Sequence, residues 1–456
     1  MQDRYRGETR MNPRMIILET LLVIDSDVSS GYTAIAQVLD KYSYLDKRDR
    51  SFIKRTLEGC VERRIELDYI IDSKSRTKVK DMKPVIRAIM RMSVYQLKYM
   101  DSVPESAVCN EAVKLAVKKG FSGLKGFVNG VLRSIARNIG NIEYPDPGSA
   151  TGMSVIYSCP VWLVEQFVAE LGVERAAKVL EASLKPSDVC IRINLSGIPV
   201  AEYAKMLDDK GVRYEIPDHP ACAIRLKDID NVTGLPGYEE GLFQVQDIGS
   251  MLVALSAGIT HGDTVFDVCA APGGKSMHVL DILNGTGHLY SFDVSERKLA
   301  LIRENAGRMG FDNIDIRLAD AAVHVPEYEG MADVLIADLP CSGLGVMGRK
   351  NDIKYNITPE REGSLVKLQR EILSNVSRYV KPGGTLVFST CTIHREENEE
   401  NVKWIEENLP FKAVSLDGCI PDALICRTSG KGYIQLIPGV HDCDGFFISK
   451  FEKKQC

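Results

Sequence analysis

Two cysteines and one aspartate carry the reactive chemistry of this sequence. Cys341 stands in "IADLPCSGLG" and Cys391 in "VFSTCTI", each directly after a short apolar run, with Asp338 three residues before the first. A lone buried cysteine behaves as a small hydrophobe. Two thiols at the tips of neighbouring strands, beside a carboxyl group, instead form a set able to attack and release an electrophilic carbon. A third stretch, "DVCAAPGGKS" (267–276), runs from an apolar segment into a glycine turn that opens a helix. Glycine there lets a ligand approach backbone N–H groups that a Cβ would screen. Asp293 ends the next apolar run 19 residues after Gly274, the placement that suits a grip on ribose hydroxyls. These features imply a nucleoside-containing cofactor, either a dinucleotide or S-adenosylmethionine. The turn is not GxGxxG, which weighs against NAD, and Lys275 at the helix start suits a carboxylate or a phosphate equally. A nucleophile, a carboxyl group and a methyl donor together fit methylation at C5 of a pyrimidine. That carbon becomes nucleophilic only after addition at C6, and the base must leave its stack to be reached.

The elements that must position these residues follow from periodicity. From about residue 246, "TVFDVCA", "GHLYSFDV", "IDIRLAD", "ADVLIADLP" and "GTLVFSTC" are short β-rich runs alternating with amphipathic segments such as "SERKLALIRENAGRMG" and "SLVKLQREILSNVSRYV". This is the pattern of a doubly wound, mostly parallel α/β sheet. In such sheets ligands bind beyond the carboxyl ends of the strands, so Asp267, Asp293, Asp320, Asp338, Cys341 and Cys391 are all expected at one edge. Upstream, "VCIRINL", "VAEYAKMLDDKG" and "CAIRL" suggest a small α+β unit. Residues 1 to about 140 read as helix throughout: "PVIRAIMRMSVYQLKYM" places Ile86, Ile89, Met90, Val94 and Leu97 at helical spacing. "SVPESAVCNEAVKLAVKK" begins with Ser102 and Glu105 at capping-box spacing. The Pro/Gly-rich "EYPDPGSATG" (143–152) reads as a separator. The domains expected are thus 1–142, a helical bundle; 153–245, a small α+β extension; and 246–456, the catalytic sheet domain.

Charge divides the same way. Net charge is −5, but residues 1–140 carry 26 Lys+Arg against 17 Asp+Glu, and the remainder 31 against 45. A basic helical half on an acidic protein is a nucleic-acid cue, set against the ordinary reading of a solvated helical surface. No stretch reaches the ~20 apolar residues of a membrane span, and "MQDRYRGETRMNPRM" lacks the apolar core of a secretory signal; a cytoplasmic protein that does not engage membranes is expected, a monomer by default. The 12 cysteines include no CxxC pair, so neither a disulfide framework nor a zinc site is signalled. His441 and Cys443 in "HDCDG" supply only two of the four ligands zinc requires.

"CAAPGGK", "DLPCSGLG", "STCTI" and the terminal "DGFFISKF" resemble the RNA cytosine-C5 methyltransferases of the Sun family. "AVCNEAVKLAVKKG" and "GFVNGVLRSIAR" are similar to the helical domain of the NusB antitermination factor. The resemblance spans nearly the whole chain. It implies a Rossmann-like methyltransferase domain behind a NusB-like RNA-binding bundle, acting on a cytosine of 16S rRNA. S-adenosylmethionine would lie on Cys269, Ala270, Ala271, Pro272, Gly273, Gly274 and Lys275, with Asp293 on the ribose, Asp320 near the adenine and Asp338 also lining the site. Cys391 would attack C6, Asp338 would hydrogen-bond the cytosine, and Cys341 would assist product release; the residues alone leave the two thiols equivalent. Leu339 departs from the smaller residue or proline usual there, and Tyr355 replaces a frequent Trp beside Arg349 and Lys350, a candidate RNA contact. Three other readings compete. One is an RNA-binding protein whose sheet domain has lost activity. Another is a DNA cytosine methyltransferase using Cys341 as nucleophile, and the third is a NAD enzyme.

Overall fold

The computed structural model describes residues 12–26, 31–185, 188–229 and 231–455. The reading of residues 1–11 as lacking a secretory signal lies outside that range. The described chain forms two compact units, one holding residues up to Leu184 together with Arg349–Asn356, the other Lys185–Gly348 and Ile357 onward.

The first unit is helical. Its principal helices are Pro13–Ser26, Gly31–Lys41, Lys47–Glu62, Arg64–Lys74, Pro84–Tyr99, Glu105–Lys118 and Lys125–Asn138, followed by Ala150–Ile156, Val161–Leu171 and Val173–Ala182. The periodicity of Pro84–Tyr99 is realised in the packing. Ile86, Ile89, Met90 and Val94 are buried with Ile17, Leu57, Leu67, Ile71 and Leu132 in one core. Leu97 packs partly buried against it. Pro84 occupies the first turn, where its missing N–H costs nothing. The capping box expected at Ser102 does not form. The helix begins at Glu105 with Pro104 as an extended N-cap, and no side chain caps it. Proline's fixed φ and the extended backbone it carries there (ψ 136) place the helix start two residues too late for Ser102.

The stretch read as a separator is tied to the bundle. Tyr144 donates to Glu66 Oε1 (2.6 Å) and Tyr69 to the Glu143 carbonyl (2.7 Å). Ser149 then caps the helix Ala150–Ile156 by accepting from Gly152 N. Gly152 is required at this bend, since a Cβ would lie 1.8 Å from the Asp146 carbonyl oxygen.

Arg349–Asn356 belongs to the helical unit, where Tyr355 is held by its hydroxyl. That oxygen lies 3.0 Å from Ser158 Oγ and donates to the carbonyls of Ser158 (2.8 Å) and Glu62 (3.2 Å), while Arg64 stacks on the ring at 4.3 Å. Tyr355 therefore serves as an internal packing residue of this unit.

The second unit contains two sheets. Strands β1 (Val189–Ile193), β2 (Tyr214–Glu215), β3 (Ala223–Leu226) and β4 (Phe243–Val245) form an antiparallel sheet in the order β2-β3-β1-β4. The helix Val200–Asp209 contributes Tyr203 and Leu207 to its core. The larger sheet runs β10 (Phe411–Ala413), β12 (Phe446–Lys453), β9 (Val380–Thr390), β8 (Ala332–Asp338), β5 (Thr264–Asp267), β6 (His288–Asp293) and β7 (Ile314–Leu318), with β11 (Tyr433–Leu436) paired to β12. Its five central strands, β9 to β7, are parallel, as the alternating pattern requires. The antiparallel flank of β10, β11 and β12 was not visible in that pattern, because "GFFISKF" reads equally well as any buried run. Apolar layers cover both faces, one holding Val265, Met277, Leu280 and Ile336, the other Phe266, Leu335, Leu373 and Phe388.

Candidate active site

The parallel strands deliver their C-terminal residues to one edge. Asp267 ends β5, Asp293 ends β6 and Asp338 ends β8. Asp320 follows β7 by two residues, Cys341 follows β8 by three, and Cys391 is the first residue after β9. Parallel register makes this convergence a consequence of the alternating pattern.

At the β5 end the backbone is the functional surface. Gly273 has φ +102°, a left-handed conformation that L side chains rarely adopt, and is the N-cap of the helix Gly274–Leu283, which has no side-chain cap. Its first N–H groups thus face the crevice as an anion- and dipole-binding terminus. The Ala271–Pro272 bond is cis. Asp267 lies beneath the turn, and its Oδ2 accepts from Ser276 Oγ at 2.7 Å. Burial pushes its pKa up to about 6, with the Ser276 hydrogen bond and the Lys275 charge opposing. Asp293 is only 6% exposed, and its Oδ1 accepts from Ser295 N at 3.1 Å. Asp320 is exposed and accepts from Ala322 N. Beside it lies an apolar cleft lined by Val268, Phe292, Ala321, Tyr328 and Val376. An uncapped helix terminus, an acidic group at the next strand end and an apolar slot together fit the methionine, ribose and base portions of an adenosyl cofactor.

At the β8 and β9 ends the side chains take over. The sulfurs of Cys341 and Cys391 are 3.4 Å apart. Both residues are partly exposed, unlike Cys60, Cys109 and Cys159, which are buried in the helical unit. Asp338 is gripped from two sides, by Lys275 Nζ on Oδ2 (2.7 Å) and Ser389 Oγ on Oδ1 (2.9 Å). Lys275 thus pairs with a carboxylate of the protein itself. Burial works against its charge, but Asp338 and Asp267 outweigh burial and raise its pKa. The Cys391 sulfur is a further, smaller contributor to the raised Lys275 pKa. For Cys341, contact with Cys391, burial, and the negative charges of Glu397 and Asp338 hold the thiol pKa well above the ordinary value.

Sequence reasoning missed the polar frame behind the thiols. Ser342 Oγ contacts Thr392 Oγ1 (2.7 Å), joining the residues that follow the two cysteines, and Glu397 accepts from Ser342 and from Gln369. Glu397 sits in "HREENEEN", an acidic run that reads as a solvated surface, and nothing in the spacing singles it out.

Comparisons with known proteins agree with this geometry. Residues 255–452 match the family described as 16S rRNA methyltransferase RsmB/F, residues 11–137 the NusB family, and residues 159–233 the ferredoxin-like domain of RsmF/B-like methyltransferases. The "Probable ribosomal RNA small subunit methyltransferase B" of Bacillus subtilis (strain 168) is 33% identical over 97% of this chain and 98% of its own. The chain belongs to the RsmB/F family of small-subunit ribosomal RNA methyltransferases. Ribosomal RNA small subunit methyltransferase B of Cronobacter sakazakii is 29% identical over 89% of this chain and 91% of its own. Among solved structures, PH0851 superposes with a TM-score of 0.78 at 24% identity, covering 98% of this chain and all of that one, which establishes the shared fold. A methyltransferase homolog protein from Pyrococcus horikoshii superposes at 0.58 with 28% identity, over 66% of this chain and 97% of its own. RsmB/F membership accounts for the order of parts found here: helical unit, small antiparallel sheet, then methyltransferase sheet.

Proposed function

We propose that the protein transfers a methyl group from S-adenosylmethionine to C5 of a cytosine in 16S rRNA through a covalent adduct on Cys391. The observation that carries this reading is the pair of sulfurs 3.4 Å apart beside Asp338, itself tied to the helix of the glycine turn by Lys275. Bound against residues 269–275, with Asp293 on the ribose and Asp320 by the adenine, S-adenosylmethionine supplies an electrophilic methyl group. The chain's own residues do the rest. Cys391, in the field of Lys275, adds to C6 of the flipped base and turns C5 into an enamine carbon. Asp338, fixed by Lys275 and Ser389, accepts from the exocyclic amino group of the cytosine and, as N3 takes up a proton from water while the C6 bond forms, from N3–H. After C5 takes the methyl group its proton passes to a solvent water, the electron pair of that C–H bond re-forms the C5–C6 double bond, and Cys391 leaves C6 as a thiolate. Cys341, held as a thiol against Cys391, assists that release.

The helical unit supplies the rRNA-binding surface in this proposal, and its positive charge makes affinity salt-dependent. A DNA methyltransferase reading would make Cys341 the nucleophile, which the charges of Glu397 and Asp338 disfavour. The test is incubation with methyl-labelled S-adenosylmethionine and 16S rRNA lacking its own methylation, followed by digestion to nucleosides. Label in 5-methylcytidine supports the proposal; label in another nucleoside, or none, overturns it.

A further inference from the structure

Glu397 is fully buried, six residues after Cys391, in a single 3-10 turn, Arg395–Glu397. A buried carboxylate is costly unless its oxygens are hydrogen-bonded, and here both are. Oε1 accepts from Ser342 Oγ (2.5 Å), and Oε2 from Ser342 N (2.9 Å) and Gln369 Nε2 (2.9 Å). Ser342 directly follows Cys341, and its hydroxyl contacts that of Thr392, which directly follows Cys391. Gln369 also donates to the carbonyl of Pro340, the residue before Cys341 (2.9 Å). One carboxylate thus ties down the chain on both sides of the first thiol and, through Ser342, the chain after the second. Asn401 Nδ2 anchors the same turn by bonding the Glu397 carbonyl (3.1 Å) and the Gln369 side chain (2.8 Å). The charged groups facing this carboxylate are His394, whose Nδ1 is 3.4 Å from Oε1, and Glu362, 3.9 Å from that imidazole nitrogen.

We propose that Glu397 is a positioning residue for the two-thiol site, its carboxylate fixing the Cys341 loop against the Cys391 loop. The role in turnover rests on the methyl-transfer reading above; the effect on Cys341 does not. A neutral amide of the same shape accepts on one atom where the carboxylate accepts on two, so Glu397→Gln weakens these hydrogen bonds.

The experiment labels the native full-length protein with iodoacetamide and maps the modified cysteines by mass spectrometry. In Glu397→Gln, labelling of Cys341 should rise about tenfold, because the hydrogen bonds from Ser342 and Gln369 that hold the Cys341 loop closed are weakened and the thiol is less shielded. Cys60 and Cys159 in the helical unit should stay unlabelled, and S-adenosylmethionine affinity should hold within about twofold. Unchanged Cys341 labelling, or labelling of all cysteines together as in general loosening, overturns the proposal. A second arm compares single-turnover methyl transfer in Glu397→Gln, Ser342→Ala and the double variant. Both single variants should be slower, on the order of tenfold to a hundredfold for a displaced reactive group, and the double no slower than the worse single. Multiplying losses would mean that the two residues act separately, which also overturns it. Wild-type protein that makes no 5-methylcytidine would sink the methyl-transfer reading alone, since the labelling arm uses no RNA.

Discussion

Polar groups buried in the helical unit and polar groups gathered at the sheet edge are arranged on opposite plans. In the helical unit charges are closed on one another. Arg91 lies between Asp68 (2.7 Å) and Asp25 (3.1 Å), and Glu66 accepts from Tyr99 (2.5 Å) and Tyr144 (2.6 Å) with Lys98 at 3.5 Å. Such clusters consume their own hydrogen-bonding capacity and leave nothing reactive. At the sheet edge the carboxylates and hydroxyls are equally well bonded, but what they hold is a pair of sulfurs 3.4 Å apart. Satisfied polar groups make a scaffold in both units; in the second that scaffold brings two partly exposed sulfurs together.

That contrast can be broken at either end. Cys391→Ala should lose methyl transfer by at least ~10³-fold, as removal of a nucleophile does in other covalent enzymes, with folding unaffected, measured as label incorporated into rRNA. Lys275→Met leaves Asp338 without its ion pair and Cys391 without its cation. Single-turnover methyl transfer should fall on the order of a hundredfold, and thermal stability should fall as well, since a partly buried carboxylate is left unpaired. Arg91→Met is the matching change in the helical unit. It strands Asp68 and leaves Asp25 with Arg87 alone (3.2 Å), and denaturant unfolding should show a loss of about 3 kcal/mol, with the methylation rate per folded molecule unchanged.

The smallest effect concerns pH. His278 is buried on the glycine-turn helix, and burial together with the Arg192 charge keeps its pKa well below the usual 6.5. The imidazole is neutral when folded and gains a proton on unfolding once the pH drops below about 6.5, so stability falls with acid. Asp267 acts in the opposite sense. Its pKa is about 6 when folded and 3.8 when not, so the folded form takes up a proton first and stability rises as pH falls from 6 toward 4. Removing the first group in His278→Gln should shrink the loss of unfolding free energy between pH 7.5 and 5.5 by about 1 kcal/mol.

The large sheet's central strands and the residues at their ends were legible in the sequence, since short β-rich runs ending in Asp or Cys and separated by amphipathic helices admit one parallel arrangement. Asp267, Asp293, Asp338, Cys341 and Cys391 came together for that reason. The contacts that fix their geometry were not legible. Lys275 choosing Asp338, and Ser342 meeting Thr392 and Glu397, join residues 50 to 63 apart along the chain through the third dimension. Glu397 and Lys354 also defeat composition-based reading, because charged residues in polar runs are normally solvated, yet Glu397 is fully buried and Lys354 is 2% exposed, its pKa lowered to about 8 by burial. The helix start at Glu105 shows the same limit locally, since a sequence match to a capping box cannot say where proline will set the first turn.

Everything in the proposed chemistry depends on Cys391 forming the bond to the base while Cys341 waits beside it. The direct test incubates Cys341→Ala with rRNA and S-adenosylmethionine, isolates covalent protein–RNA complex under denaturing conditions, and maps the nucleotide-bearing peptide by mass spectrometry. Stalled complex carrying methylated cytosine on Cys391 is the result expected. Wild-type turnover by Cys341→Ala, with complex appearing instead on Cys341 when Cys391 is replaced by Ala, would contradict the account.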